Sequence, residues 1–280
     1  MADGIQPGGV TPVPTPSFRH YVAIGDSLSE GLGDPVSGAE LGGWATCLAR
    51  WLQAVTPSMR YTNLAVRGHT ASKALAGQLG PAVAAAPDLV SIFIGGNDVL
   101  LRPGFDARRF ADELDQLTAP FAGPGTTTVL STLPDLTACS PLPPPLRGAL
   151  RRRIVSANKV IKAVSTEYRT LLLDAWADPR TRRHGMWSID RIHPSTNGHR
   201  LIAHSVAELL GLPADVHRRA ELPQESHAAT VGRHLRELAW LSRHARRAPE
   251  RTRTDSVLFS ASASVPLLPS GASWPATPRE

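Results

Sequence analysis

Short apolar runs alternate with longer segments of helical periodicity through most of this chain, and this alternation constrains its fold more than any other feature. Five runs predict strands, at residues 21–24, 61–66, 89–94, 126–132 and 171–174. The segments between and after them predict helices at residues 44–55, 72–86 with a break at Pro81, 106–117, 147–168 and 196–210. Strands that alternate with helices favour a parallel sheet covered on both faces.

The composition is that of a globular protein with a sizeable aliphatic core, since 42% of the residues are hydrophobic and 19% are charged. Two cysteines are too few for a disulfide framework. The net charge of +6 would fit nucleic acid, an anionic membrane or an acidic substrate. A GC-rich genome also produces this excess of arginine over lysine together with abundant Ala, Pro and Gly, so no nucleic-acid partner is predicted.

The chain divides into four predicted regions. Residues 1–18 hold four prolines and three glycines and predict a flexible leader. Residues 19–212 hold the alternating strands and helices and form the main predicted domain, residues 213–253 form a basic amphipathic helical extension, and residues 254–280, rich in Ser, Pro and Ala, form a disordered tail. The N-terminus has no signal-peptide pattern, and no apolar run reaches the ~18 residues of a membrane span. A cytoplasmic location is therefore expected.

The extension has two interpretations. Residues 226–253 contain seven arginines against Glu237 and Glu250, and an apolar stripe formed by Val231, Leu235, Leu238 and Leu241. Such a helix can associate weakly with an anionic membrane surface, or its stripe can pack on the domain formed by residues 19–212. The packing interpretation is favoured, because an apolar stripe is most often a packing face.

A serine follows the first predicted strand at a tight turn, in the sequence Gly25-Asp26-Ser27-Leu28. A turn between strand and helix would place the Ser27 hydroxyl above the sheet, with its own N–H free to meet an oxyanion. Taken alone, the motif fits a plain helix N-cap equally well. Asp26 is expected to hold this loop rather than to act as a catalytic carboxylate.

Two further motifs follow the second and third strands. Asn63 begins a segment that ends at Gly68, and Gly95-Gly96-Asn97-Asp98 closes the third strand. The N–H of Gly68 and the amide of Asn97 could both donate to an oxyanion, although each motif alone also fits an ordinary turn. In parallel sheets, ligands bind beyond the carboxyl ends of the strands, where all these motifs lie.

An aspartate and a histidine stand three residues apart before the last helix. At this spacing, Asp190 can accept a hydrogen bond from Nδ1 of His193 and leave Nε2 to take a proton from a serine. A single histidine among ten would usually be structural. The case for catalysis is that four motifs occur together and in order.

This order of motifs resembles the SGNH or GDSL hydrolase family, over roughly residues 19–212. The resemblance implies a three-layer α/β/α sandwich around a flavodoxin-like, five-stranded parallel sheet. It implies a nucleophile, Ser27, a general base, His193, and an orienting carboxylate, Asp190. It also implies an oxyanion hole formed by Ser27, Gly68 and Asn97. Neither a cofactor nor a metal is expected.

The predicted activity is hydrolysis of carboxylic esters, by an esterase or lipase acting on a small-molecule or lipid ester through an acyl-serine. The same triad would equally serve a carbohydrate O-deacetylase, a thioesterase or an acyltransferase. A non-catalytic binding module with this sheet is a third class, disfavoured by the intact serine, histidine and aspartate. The oligomeric state is left open.

Overall fold

A single parallel sheet of five strands forms the centre of the molecule. The computed structural model describes residues 16–34, 42–101, 104–139, 142–188 and 190–218. The strands are β1 (His20–Gly25), β2 (Arg60–Asn63), β3 (Leu89–Phe93), β4 (Thr127–Ser131) and β5 (Leu171–Leu173). Their order across the sheet is β2-β1-β3-β4-β5 and all pairs are parallel, which confirms the predicted flavodoxin-like fold.

Helices connect the strands and cover both faces of the sheet. They are α1 (Ser27–Glu30), α2 (Trp44–Val55), α3 (Ala71–Gly77), α4 (Leu79–Ala84), α5 (Gly96–Leu101), α6 (Ala107–Thr118), α7 (Pro144–Glu167), α8 (Thr196–Leu209) and α9 (Ala214–Arg218). Short 3₁₀ turns occur at Ala119–Phe121, Pro179–Arg182 and His184–Met186. The predicted tail and most of the predicted leader and extension, including the helix within residues 226–253, lie outside the described residues.

Alternate residues of each strand supply two separate cores, as the two-residue period of a strand requires. On β1, Val22 and Ile24 face the core that is closed by α3, α4, α6 and α7. Tyr21 and Ala23 face the opposite core, which α2 and α8 close. Because both faces are buried, β1 and β3 consist almost entirely of buried residues.

Several predicted boundaries differ from the structure by one to three residues, and two of the differences have a clear physical cause. The second strand ends at Asn63 rather than at residue 66, because the Asn63 side chain accepts from the N–H of Ala65 and donates to the carbonyl of Ser29. The helix break falls at Gln78 rather than at Pro81. Pro81 is the third residue of α4, in the first turn, where a missing N–H leaves no helix hydrogen bond unmade.

Among the helices in the described ranges, none is both long enough and apolar enough to cross a bilayer.

Candidate active site

Two hydrogen bonds in series join residues that lie far apart in the sequence. The Nε2 atom of His193 lies 3.0 Å from Oγ of Ser27, and its Nδ1 lies 2.6 Å from Oδ2 of Asp190. Ser27 begins α1, directly beyond the carboxyl end of β1, and its residue surface is only 9% exposed. The structure thus brings the three predicted residues into the order serine, histidine, carboxylate.

The Asp190 carboxylate is held by more than the histidine ring. Its Oδ1 accepts from the hydroxyl of Ser188 and from the N–H groups of Ile192 and His193, at 2.7, 2.9 and 3.0 Å. Burial opposes the charge, but the hydrogen bonds and the charge of His193 outweigh it and lower the pKa of Asp190 to about 2. At neutral pH the group is therefore an ionised acceptor that orients the imidazole.

The turn that carries this pair is conformationally strained. Arg191, between Asp190 and His193, has φ +61°, in the left-handed region that residues other than glycine rarely adopt. In this turn the N–H groups of residues 192 and 193 both point at the carboxylate that precedes them, as in an Asx turn. Such strain costs on the order of 1 kcal/mol or more and persists only where the surroundings fix it.

The segment that follows Ser27, up to Asp34 (the serine loop), packs directly on residues 190–196 (the histidine loop). Gly33 has φ +97°, and a Cβ on it would lie 3.0 Å from Cβ of His193 and would collide with the carbonyl of Pro194. Asp34 accepts from the Thr196 hydroxyl at 2.6 Å. Glycine at position 33 therefore permits the close approach that sets the serine–histidine distance.

A buried histidine reinforces this packing. His199, on α8, is 1% exposed, and its Nδ1 and Nε2 contact the N–H of Trp44 and the carbonyl of Leu32. Since an N–H can only donate and a carbonyl can only accept, Nδ1 accepts and Nε2 donates. Burial lowers the pKa of His199 and keeps it neutral in this structural role.

The predicted oxyanion hole includes two backbone N–H groups. Throughout the described ranges, no residue accepts a hydrogen bond from the N–H of Ser27 or of Gly68. Gly68 has φ +74°, and a Cβ there would meet nothing within 4 Å, so glycine serves the backbone conformation rather than a close contact. The carbonyl of the next residue, His69, accepts from the Asn97 amide at 2.9 Å and ties this loop to α5.

The Asn97 amide already has two acceptors. Besides the His69 carbonyl, its Nδ2 lies 3.3 Å from Oδ2 of Asp26, the longer and weaker of the two contacts. Asp26 is 5% exposed and caps α1 through the N–H of Leu28. Asp26 thus holds its loop, as expected, but it also competes for an N–H that the predicted oxyanion hole requires.

The Asp26 carboxyl is unusual in its ionisation. Burial raises its pKa to about 6, although the Leu28 N–H and the charge of His193 favour the ionised form and only Asp98 acts with burial. The pKa values of the two aspartates therefore lie far apart, at about 6 for Asp26 and about 2 for Asp190.

Other side chains near the predicted site pack in the core. Trp44 is fully buried and stacks on Phe93 with ring centroids 4.3 Å apart. Trp187 is 5% exposed, and its indole N–H donates to the carbonyl of Thr181. Within the described ranges, no group of three His, Cys, Asp or Glu side chains is arranged to hold a metal ion.

The sequence of residues 23–201 matches the model of the GDSL-like lipase/acylhydrolase family. The chain belongs to this family. Its sequence is 32% identical to a GDSL-like esterase of Mycobacterium tuberculosis, over 72% of this chain and 66% of that one. It is 27% identical to an acetylxylan esterase of Geobacillus stearothermophilus, over 70% of this chain and 95% of that one. The family and these relatives support carboxylic ester hydrolysis.

Solved structures of other hydrolases share the fold. An α/β hydrolase from the metagenome of Lake Arreo superposes with a TM-score of 0.58 at 24% identity, over 70% of this chain and 96% of that one. A mutant of the Geobacillus stearothermophilus acetylxylan esterase gives the same TM-score, identity and coverage.

Two residues in contact with the site were not found from the sequence. Ser188 donates to Asp190, and Gln78 contacts Gly25, two residues before Ser27, and His69, which follows Gly68. The Ser-x-Asp spacing at residues 188–190 is a weak turn signal. Gln78 carries no signal at all, because a glutamine in an Ala-rich helical segment is ordinarily exposed.

The opposite pKa shifts of the two aspartates can be measured together. In a ¹³C NMR titration of the carboxyl carbons, we expect Asp26 to titrate with a midpoint near 6 and Asp190 near 2. The ionisation of Asp26 therefore lowers the free energy of unfolding above pH 6. This loss disappears as the pH falls from about 6 towards 3.8, the pKa of the unfolded state. The contribution of Asp190 has the opposite sign: it is present above its unfolded pKa of 3.8 and is lost as the pH falls towards 2. A midpoint for Asp26 at or below 4 would contradict its assignment as a buried, desolvated carboxyl.

Proposed function

We propose that this chain is a serine esterase that cleaves carboxylic esters through an acyl-serine intermediate. The observation that carries the proposal is the hydrogen-bonded order Ser27, His193 and Asp190, with distances of 3.0 and 2.6 Å. A serine hydroxyl is a weak nucleophile at neutral pH and needs an adjacent base, which here is the imidazole. The ionised Asp190 fixes the proton on Nδ1 and leaves Nε2 to accept.

The acylation step follows from this arrangement. Oγ of Ser27 attacks the ester carbonyl carbon while its proton passes to Nε2 of His193, and the carbonyl oxygen becomes an oxyanion. When the tetrahedral adduct collapses, the bond to the alcohol oxygen breaks, and His193 returns the proton to that leaving alcohol. The acyl group remains on Ser27. Asp190 stays ionised throughout and stabilises the imidazolium while it exists.

Deacylation repeats the sequence with water. His193 takes a proton from a water molecule as its oxygen attacks the acyl-serine, and the second adduct collapses to a carboxylic acid and free Ser27. The proton returns to Oγ. An acyltransferase would differ only in the acceptor, an alcohol in place of water, and a thioesterase only in the leaving group.

The oxyanion would be held by the N–H groups of Ser27 and Gly68 and by the Asn97 amide. The two backbone donors need no rearrangement, since no described residue occupies them. Asn97 would exchange its 3.3 Å contact with Asp26 for the oxyanion and keep its 2.9 Å contact with the His69 carbonyl. Charge developing on the oxygen makes this exchange favourable in the transition state.

Acetyl esters of carbohydrates are a more specific candidate class of substrate. The relative from Geobacillus stearothermophilus that matches over 95% of its length is an acetylxylan esterase. Solved structures of that enzyme include catalytic mutants in which a serine, an aspartate or a histidine is replaced by alanine, the same three residue types that meet here.

Replacing the nucleophile tests the mechanism and the substrate class together. We expect Ser27→Ala to lose at least ~10³-fold in turnover of p-nitrophenyl acetate and to keep the wild-type melting temperature, since among the described residues the hydroxyl hydrogen-bonds only with His193. Ser165→Ala, a buried serine at the end of α7, is the matched control and should remain active. Release of acetate from acetylated xylo-oligosaccharides, measured on the same three proteins, tests the carbohydrate candidate. Full activity of folded Ser27→Ala would refute the assignment.

Removing the Asn97 amide separates transition-state stabilisation from binding. We expect Asn97→Ala to lower kcat by ~10²–10³-fold with little change in KM, because the amide meets a charged oxygen only in the transition state. Steady-state kinetics on p-nitrophenyl acetate measure both constants. A rise in KM at unchanged kcat would instead make Asn97 a substrate-binding or loop-capping residue.

A further inference from the structure

A buried glutamine joins the loops that carry the candidate oxyanion donors. Gln78 lies at the break between α3 and α4 and is 2% exposed. Its Oε1 lies 2.9 Å from the N–H of Gly25, and its Nε2 lies 2.9 Å from the carbonyl of the same residue and 3.0 Å from Nδ1 of His69. Gly25 ends β1 two residues before Ser27, and His69 directly follows Gly68.

The chemistry of these partners fixes the direction of every hydrogen bond. The Gly25 N–H can only donate, so the amide oxygen of Gln78 must face it, and the amide nitrogen must face the Gly25 carbonyl and His69. An amide nitrogen only donates, so Nδ1 of His69 must accept. A neutral His69 that accepts at Nδ1 carries its proton on Nε2.

The surroundings keep His69 in that neutral form. Partial burial and the charge of Lys73 lower its pKa, and Glu30 opposes them less strongly. A proton on Nδ1 would also point at the Gln78 amide, where another donor already stands. The Gln78–His69 hydrogen bond is thus maintained through the neutral pH range, in which the esterase mechanism operates.

All three candidate donors to the oxyanion adjoin this network. Gln78 holds the backbone immediately before Asp26 and Ser27, and it holds the residue immediately after Gly68. The carbonyl of His69 in turn accepts from the Asn97 amide. The Gly25 carbonyl also accepts from the N–H of Val66 at 3.2 Å, so the end of β1 and the Gly68 loop meet directly as well as through Gln78.

We infer that Gln78 is a positioning residue that sets the separation of the Ser27 and Gly68 N–H groups, acting through Gly25 and His69. The inference rests on the proposed function, because it concerns the geometry of the same oxyanion hole. Gln78 itself touches no reacting atom. A shift of a donor by about 1 Å is enough to cost roughly 100-fold in rate, so a side chain that fixes the distance between two donors affects catalysis strongly.

The fold contains a matched control for a purely structural amide. Asn158, on α7, is 5% exposed, and its amide accepts from the N–H of Leu133 at 2.7 Å and donates to the carbonyl of Leu133 at 2.9 Å. Asn158 therefore hydrogen-bonds both backbone groups of a residue just after β4, as Gln78 does with the last residue of β1. Unlike Gln78, it has no hydrogen bond to a residue next to Ser27, Gly68 or Asn97.

The test compares Gln78→Met with Asn158→Leu in the full-length protein. Both changes keep the approximate side-chain volume and remove the amide. We expect Gln78→Met to lower kcat on p-nitrophenyl acetate by about 10- to 100-fold with KM within about twofold, and to weaken inhibition by a trifluoromethyl ketone in proportion. This ketone forms a tetrahedral adduct that needs the same donors. Asn158→Leu should lower the melting temperature and leave kcat per folded molecule within about twofold of wild type.

The His69 ring supplies a readout that does not depend on Gln78→Met folding. By ¹⁵N NMR, we expect wild-type His69 to carry its proton on Nε2 at neutral pH. His69→Leu, which leaves both contacts of Gln78 with Gly25, should lower kcat, and the double variant should be no worse than Gln78→Met alone. A wild-type His69 protonated on Nδ1 would overturn the inference, and so would Ser27-dependent turnover that is unchanged in both Gln78→Met and His69→Leu. If wild type has no turnover that depends on Ser27, the proposed function itself fails and the inference with it.

Discussion

The hydrogen bond between His193 and Ser27 is the interaction on which the site depends, and it joins residues separated by 166 positions in the sequence. No local preference can fix such a distance. It follows from the packing of the serine loop on the histidine loop, which Gly33 permits and which the Asp34–Thr196 and His199–Leu32 hydrogen bonds fix. Those contacts in turn require that α8 lie beside α2 on one face of the sheet, where their apolar side chains share a core. Much of the fold on that face therefore serves to hold one imidazole against one hydroxyl.

The site also contains an electrostatic contrast between two aspartates that stand close to the same histidine. Asp190 is stabilised as an anion by four hydrogen bonds and orients His193. Asp26 is buried with fewer donors, and its raised pKa marks the free-energy cost of holding a charge there. Its contact with Asn97 suggests why the cost is tolerated: the carboxylate keeps the amide oriented in the resting enzyme and is a weaker partner than an oxyanion. In the proposed mechanism, the resting contact would thereby order a donor that is needed only in the transition state.

The sequence allowed the sheet to be predicted, together with the three residues that the structure brings into contact at Ser27, because both leave local signals. Apolar runs fixed the number and order of the strands, and the motifs at Ser27, Asn97 and His193 each follow a strand or precede a helix. Boundaries that depend on tertiary hydrogen bonds could not be predicted. The early end of β2 depends on the contact of Asn63 with Ser29, and the break at Gln78 coincides with a side chain directed at Gly25. The contacts of Gln78 could not be predicted for the same reason, since its partners Gly25 and His69 are 53 and 9 residues away in the sequence.

The most direct test of the central claim is to identify the side chain that becomes covalently modified. We would treat the full-length protein with a fluorophosphonate and map the adduct by tandem mass spectrometry, with Asp190→Asn and His193→Ala treated in parallel. A hydroxyl activated by the His193–Asp190 pair predicts a single adduct on Ser27, formed far more slowly in both variants. An adduct on another serine, or labelling of Ser27 at an undiminished rate without His193, would contradict it.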